Sequence, residues 1–85
     1  MAEVELYEQL RTVEIIWLDA RFSCSTWMDI EEAKKITLAE TQTRGTILCE
    51  DEGSITLYMN INKSDNDVAH CVTIPKGCIK SIKDI

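Results

Sequence analysis

The groups able to do covalent or metal chemistry in this 85-residue chain are few: one histidine, His70, beside Cys71; three further cysteines, Cys24, Cys49 and Cys78; and the oxygen-rich run Asp65-Asn66-Asp67. His70 and Cys71 would be the base and nucleophile of a hydrolase or transferase. Neighbours on a strand, however, project to opposite faces and can neither share a proton nor grip one ion. No C-x-x-C, H-E-x-x-H or G-x-S-x-G spacing occurs, and Gly45, Gly53 and Gly77 are too far apart to form a phosphate-cradling loop. Asp65-Asn66-Asp67 offers hard oxygen ligands but lacks the sixth-position glycine and the distal glutamate of an EF-hand loop, so it reads as a solvated turn. The expected chemistry is non-covalent: a binding protein and not an enzyme, with no metal and no cofactor.

For binding, the informative pair is Trp27 and Arg21, because an exposed indole stacks on a base while a guanidinium grips a phosphate. Arg44, on the outward phase of its strand, and Lys76, in a turn, would add positive charge if copies pack together. Arg21, Trp27, Arg44 and Lys76 are therefore the candidate ligand-binding residues, and a small anion such as a nucleotide is the ligand they suit. A second reading uses the opposite charge. Glu3 to Glu14, together with Glu50 to Glu52, would imitate a DNA phosphate track and occupy a nucleic-acid-binding protein. Ordinary solubility explains the same glutamates.

Local patterning indicates what must position these residues. Val13, Ile15 and Trp17 alternate with Thr12, Glu14 and Ile16, which predicts a first strand over residues 12–20. Residues 21–28 have no clean period and read as a loop carrying Trp27. Asp29 with Glu32 has capping-box spacing, and the order Glu31-Glu32 then Lys34-Lys35 suits a helix dipole, so a short helix should end near Ile36. A hairpin follows: Thr43, Gly45, Ile47 and Cys49 alternate with Arg44, Thr46, Leu48 and Glu50, and Asp51-Glu52-Gly53 turns the chain. In its return strand Ile55, Leu57, Met59 and Ile61 should face the core, with Thr56, Tyr58, Asn60 and Asn62 outward. Val68, His70, Val72 and Ile74 resume the alternation until Pro75, which cannot donate to a sheet; a tight or 3₁₀ turn at Lys76-Gly77 then leads to Ile79, Ile82 and Ile85. The expected class is mainly β, a β-rich α+β domain of five strands and one short helix.

Length allows one core, so residues 1–85 are expected to form a single domain, with residues 1–11 as an N-terminal arm or helical turn. A chain this short is marginal as a monomer, which favours a homo-oligomer. Its 45% hydrophobic share is ordinary, and the longest apolar run, Ile15 to Leu18, is far too short to span a bilayer. Three glutamates in the first ten residues stand where a targeting segment would be basic, so a cytoplasmic location is expected, with the cysteines reduced and serving as small buried hydrophobes. The net charge of −6 disfavours direct nucleic-acid or membrane binding. The charge is uneven: twelve acids and five bases in residues 1–60, three acids and four bases in residues 61–85, which leaves room for a local basic patch.

The layout of Ile74-Pro75-Lys76-Gly77-Cys78-Ile79 is similar to the 3₁₀ link before the last strand of SH3-like and Sm-like barrels, which implies a small five-stranded closed barrel. The acidic and aromatic cluster that holds proline-rich peptides in SH3 domains is missing, so that activity is not carried over. The order Trp17-Leu18-Asp19, Trp27, Glu31-Glu32-Ala33, Gly45, Glu50-Asp51, the 74–79 segment and Ile82 resembles a broad group of short accessory proteins encoded by phages and prophages. That resemblance implies a viral origin and interference with a host system. The function expected is counter-defence: stoichiometric capture of a small anionic ligand, such as a nucleotide immune signal, between subunits in the host cytosol. The alternatives are an acidic inhibitor or adaptor of a host defence protein, and a structural or regulatory phage homo-oligomer without ligand.

Overall fold

Thr12–Asp19 forms strand β1 because its β-branched and aromatic residues alternate with a partner on each side: Val13, Ile15 and Trp17 are buried on one face. The computed structural model describes residues 11–22 and 26–85. After β1 come a single helical turn, α1 (Ile30–Ala33), and strands β2 (Ala39–Glu50), β3 (Ser54–Tyr58), β4 (Asn60–Asn62), β5 (Asp67–Ala69) and β6 (Val72–Pro75). A 3₁₀ turn, η1 (Lys76–Cys78), leads to β7 (Ile79–Asp84). Five strands make one antiparallel sheet in the order β6-β3-β2-β1-β7, and β4 pairs with β5 in a separate two-stranded ladder. The mainly β class with one short helix is as the sequence predicts. The edge strands β6 and β7 are consecutive in the chain, linked by η1 alone.

The core lies on one face of this sheet: Val13, Ile15, Ile47, Ile55, Leu57 and Ile74, with Trp17 beside them. Each fully buried aliphatic contributes about 1.5–3 kcal/mol relative to an exposed one. Gly45 lets β3 approach β2, since a Cβ there would sit 3.0 Å from the Tyr58 carbonyl oxygen and 3.2 Å from Leu57 Cβ. Trp17 meets its polar need inside the core, its indole N–H donating to Thr43 Oγ1 at 3.0 Å.

Turn chemistry accounts for the connections. Asp51 Oδ1 accepts from the Gly53 and Ser54 amides, each at 2.8 Å, which closes the β2–β3 turn and holds the Asp51 carboxyl below its usual 3.8. The β4–β5 tip is closed by Asn62 Oδ1, which accepts from Ser64 and Asp65 N–H, and by Asn66 in the left-handed region at φ 60°. Pro75 ends β6 as expected, and the Lys76 amide then donates to the Gly53 carbonyl at 2.9 Å.

Several sequence expectations need correction. The regular run from Ile55 to Ile61 is not one strand: β3 stops at Tyr58, which is buried, while Met59 is 57% exposed. The facing run breaks at the same level, because His70 takes φ 58° and interrupts the alternation of Val68 to Ile74. At the break the Met59 N–H donates to the Ala69 carbonyl, at 3.4 Å, between the two ladders of this long hairpin. A bulge in β2 shifts the register between Ile47 and Cys49, so Cys49 pairs with Thr56 instead of continuing the core phase. Cys49 and Cys71 are consequently exposed and Cys78 only half-buried, so the cysteines are not uniformly buried hydrophobes. Ile82 and Ile85 are exposed because β7 is an edge strand, and only Ile79 of that trio packs on the core. The proposed arm at residues 1–11 lies, apart from Arg11, outside the described residues, as does Cys24.

Candidate functional site

The chain leaves the sheet at Asp19 and re-enters it at Ala39, its register partner, so residues 20–38 form an excursion from one point on the sheet. Every described residue of that excursion is exposed. Its order comes from α1: Asp29 Oδ2 accepts from the Glu31 N–H at 3.0 Å and the Glu32 N–H at 3.4 Å. The reciprocal half of a capping box is replaced by an ion pair, Glu32 with Lys35 at 3.3 Å, parallel to Glu31 with Lys34 at 3.2 Å. The helix stops at Ala33, three residues before the expected Ile36.

On this excursion Trp27 is 91% exposed and Phe22 96% exposed, joined by Met28, Ile30, Ile36 and Leu38. Sequence reasoning found Trp27 but missed the others. The available signal is that they recur with no period matching a buried face, among residues that are charged or small. Arg21 is also exposed, and among the described residues no carboxylate pairs with it. An exposed guanidinium and solvent-facing aromatic rings thus share one segment.

The other two candidate residues are placed elsewhere. Arg44 lies on the face of β2 opposite the core, five register positions from the Ala39–Asp19 pair, or roughly 17 Å along the strand. It is engaged: its guanidinium meets Glu14 Oε2 at 2.9 Å, and Lys83 approaches the other oxygen at 3.6 Å. The row Arg44–Glu14–Lys83 crosses three adjacent strands, and Glu14, only 9% exposed, is its centre. The hydrogen bond from Arg44 holds the Glu14 carboxyl below its usual 4.5 against the opposing cost of desolvation, and Lys83 adds to the effect. Lys76 in η1 is paired with Glu50 at 2.9 Å. One chain therefore brings Arg21 and Trp27 into one excursion but leaves Arg44 and Lys76 apart from it.

The acidic track expected from Glu3 to Glu14 and Glu50 to Glu52 is in part outside the described residues, and Glu14 and Glu50 are neutralised by the pairs above. His70 Nδ1 lies 2.8 Å from Asn60 Oδ1, across the break in the hairpin. Asn62 Nδ2 donates to Asp65 Oδ2 at 3.1 Å, so that loop uses its oxygens on itself. Among the described residues no His, Cys, Asp and Glu cluster is arranged to hold a metal, no cleft encloses a ligand, and no helix is long and apolar enough to cross a membrane. Compared with known families, curated proteins and solved structures, the chain matches none.

Proposed function

We propose that the protein is a non-enzymatic binding protein that captures a small anionic ligand of the nucleotide class, with Arg21 and Trp27 as its first contacts. The observation carrying this reading is the coincidence of a cation with no carboxylate partner among the described residues and a 91%-exposed indole in one excursion from the sheet. Stacking of a base on such a ring contributes about 1–3 kcal/mol. A guanidinium not already committed to a carboxylate meets a phosphate at no cost of breaking an ion pair. Arg44 and Lys76 would join only after leaving Glu14 and Glu50, which makes them secondary contacts. Closure of the ligand falls to a homo-oligomer, since one excursion alone offers a surface and not an enclosure.

The same reading takes the sheet as a small barrel of SH3-like or Sm-like type, supported by the strand order β6-β3-β2-β1-β7 with its two edges joined through η1. The role is that of a phage accessory protein acting in the host cytosol by stoichiometric removal of a nucleotide immune signal. Thermal unfolding against a panel of cyclic and ADP-ribose-type nucleotides tests it. A binder at a hundredfold its dissociation constant adds about 2.7 kcal/mol, and Arg21→Ala or Trp27→Ala should abolish that gain without moving the ligand-free midpoint. A flat panel overturns capture and turns attention to a host-protein inhibitor, recognised by association that weakens steeply with salt.

A further inference from the structure

The long hairpin that contains β3 to β6 is broken in the middle, yet its two ladders share one register. Leu57 lies opposite Val72 in the first ladder and Asn60 opposite Ala69 in the second. Asn60 follows Leu57 by three positions and Val72 follows Ala69 by three, so the break inserts no residue in either strand. Alternation also runs through it, with Met59 in phase with Leu57 and Ile61, and His70 in phase with Val68 and Val72. The interruption is one of backbone: His70 has φ 58°, a left-handed conformation unfavourable for a residue with a β-carbon. Beyond it the β4–β5 arm stands clear of the sheet, and of residues 59–71 only Ile61 and Val68 are partly covered.

A second arrangement is therefore open to the same residues without any slip. With His70 extended, residues 54–62 and 67–75 would close into one continuous ladder, Tyr58 opposite Cys71 and Met59 opposite His70. β3 would then also run on along β2, because the register that sets Thr46 against Tyr58 brings Gly45, Arg44 and Thr43 against Met59, Asn60 and Ile61. That edge is open: among the described residues, positions 39–45 of β2 have a register partner in β1 alone. We propose that the β4–β5 arm is a strap with two positions, the projecting one of this structure and a closed one along the free edge of β2. In the closed position its tip points towards Ala39, where the excursion rejoins the sheet.

One side-chain bond latches the projecting position, His70 Nδ1 donating to Asn60 Oδ1 at 2.8 Å. In a continuous ladder these two residues belong to opposite phases, Asn60 with Tyr58 and Asn62, His70 with Val68 and Val72, so their side chains leave opposite faces of the sheet. The latch thus exists only while the arm projects. Closing gives it up, along with the Met59 N–H to Ala69 carbonyl bond. In return the left-handed backbone is relieved and Met59 and His70 exchange a pair of backbone bonds. The Lys76 N–H to Gly53 carbonyl bond fixes which pairs do so, since 53 with 76, 55 with 74 and 57 with 72 lead by steps of two to 59 with 70. A two-stranded ladder with both outer edges unpaired is marginal alone, which adds to the drive to close. Opposing contributions of this kind are what a two-position element requires. The strap uses neither Arg21 nor Trp27, so it goes beyond nucleotide capture and stands apart from it.

Two variants of the full chain, followed by NMR with saturation transfer to detect the minor form, test the strap. The α-carbon and α-proton shifts of residue 70 separate left-handed from extended backbone. A contact between the α-protons of Tyr58 and Cys71 marks the continuous ladder, since a non-hydrogen-bonded antiparallel pair brings its α-carbons to about 4.5 Å. Backbone contact between Thr43 and Ile61 marks docking on β2. Asn60→Ala removes the latch and leaves residue 70 as it is, so the extended fraction should rise about fivefold over the wild type. His70→Val, whose β-branched side chain keeps out of the left-handed region, should make the closed form the major one, with the amides of residues 59 and 70 exchanging more slowly. Asn60 and His70 are both exposed, so neither change removes a core contact, and circular dichroism establishes that both variants are folded. An Asn60→Ala chain with no greater extended fraction than the wild type would overturn the strap. So would a His70→Val chain in which residues 60–69 lose their pairing instead of closing on β2. No readout involves a nucleotide, so a flat nucleotide panel leaves this result standing and the reverse also holds.

Discussion

β1 and the excursion that follows it both carry large apolar side chains, five in the eight residues of β1 and six in residues 20–38, and put them to opposite use. In β1, Val13, Ile15 and Trp17 are buried, and the only charge among them, Glu14, is held by cations on both flanking strands. In residues 20–38 every described side chain is exposed, Trp27 and Phe22 almost completely. The number of large apolar side chains does not separate the two. What separates them is that β1 has a period of two and a hydrogen-bonded partner on each side, whereas the described part of the excursion has one helical turn that buries none of its residues. Stability is thus concentrated in the sheet, and the excursion is left available for contacts beyond the chain.

The sharpest way to break that contrast is to remove one large side chain from each region. Leu57→Ala, in the fully buried face, should cost about 2–5 kcal/mol in urea unfolding, whereas Trp27→Ala should stay within about 0.5 kcal/mol of the wild type. Similar losses from the two would show that the excursion is part of the fold. Next in size is Thr43→Val, which preserves shape but strips the Trp17 indole N–H of its acceptor. A buried donor left unpaired costs about 1–3 kcal/mol, and the loss should shrink when Trp17 is already Phe.

Acid sharpens the comparison further. The Glu14 pKa is lowered in the folded chain, so its contribution is complete above the ordinary value of 4.5 and is lost as pH falls from there through the lower folded value. Glu14→Gln should therefore lose less stability than the wild type between pH 4.5 and the acid limit. An unchanged acid profile would remove Glu14 from the balance. The smallest effect should come from Asp29→Ala. It frees the Glu31 and Glu32 amides, which should exchange with solvent faster, but global stability should scarcely move because α1 buries none of its residues. A global loss as large as that of Leu57→Ala would contradict the division drawn above.

Much of the sheet was legible from the residues. The alternation in β1, the Asp29 cap, the Asp51 turn and the stop at Pro75 all have local causes that a sequence displays. The breaks did not. Residues 55–61 alternate without fault straight through Met59, and the interruption is imposed by the facing chain at His70, whose left-handed backbone no glycine announces. The β2 bulge likewise depends on the two strands being unequal in length between fixed pairs, a property of neither strand alone. For the candidate site, Trp27 stood out because its surroundings lacked a period. The pairing of Arg44 with Glu14 and Lys83 did not, since it requires the strand order, which places residues distant in sequence in one row.

The strand order also bears on how the chain folds. β3 and β6 belong to one hairpin, closed between Ser54 and Pro75, whereas β7 must find β1 across nearly the whole described chain, Val13 lying opposite Asp84. Loop-closure entropy makes the first contact cheap and the second expensive, so the hairpin is the natural nucleus and the docking of β7 the late step. By the same reasoning β7, an edge strand with its isoleucine Ile82 exposed, should open before the rest. Native-state hydrogen exchange should then find β7 amides opening at lower free energy than those of β3, and equal protection of the two would reverse that order of assembly.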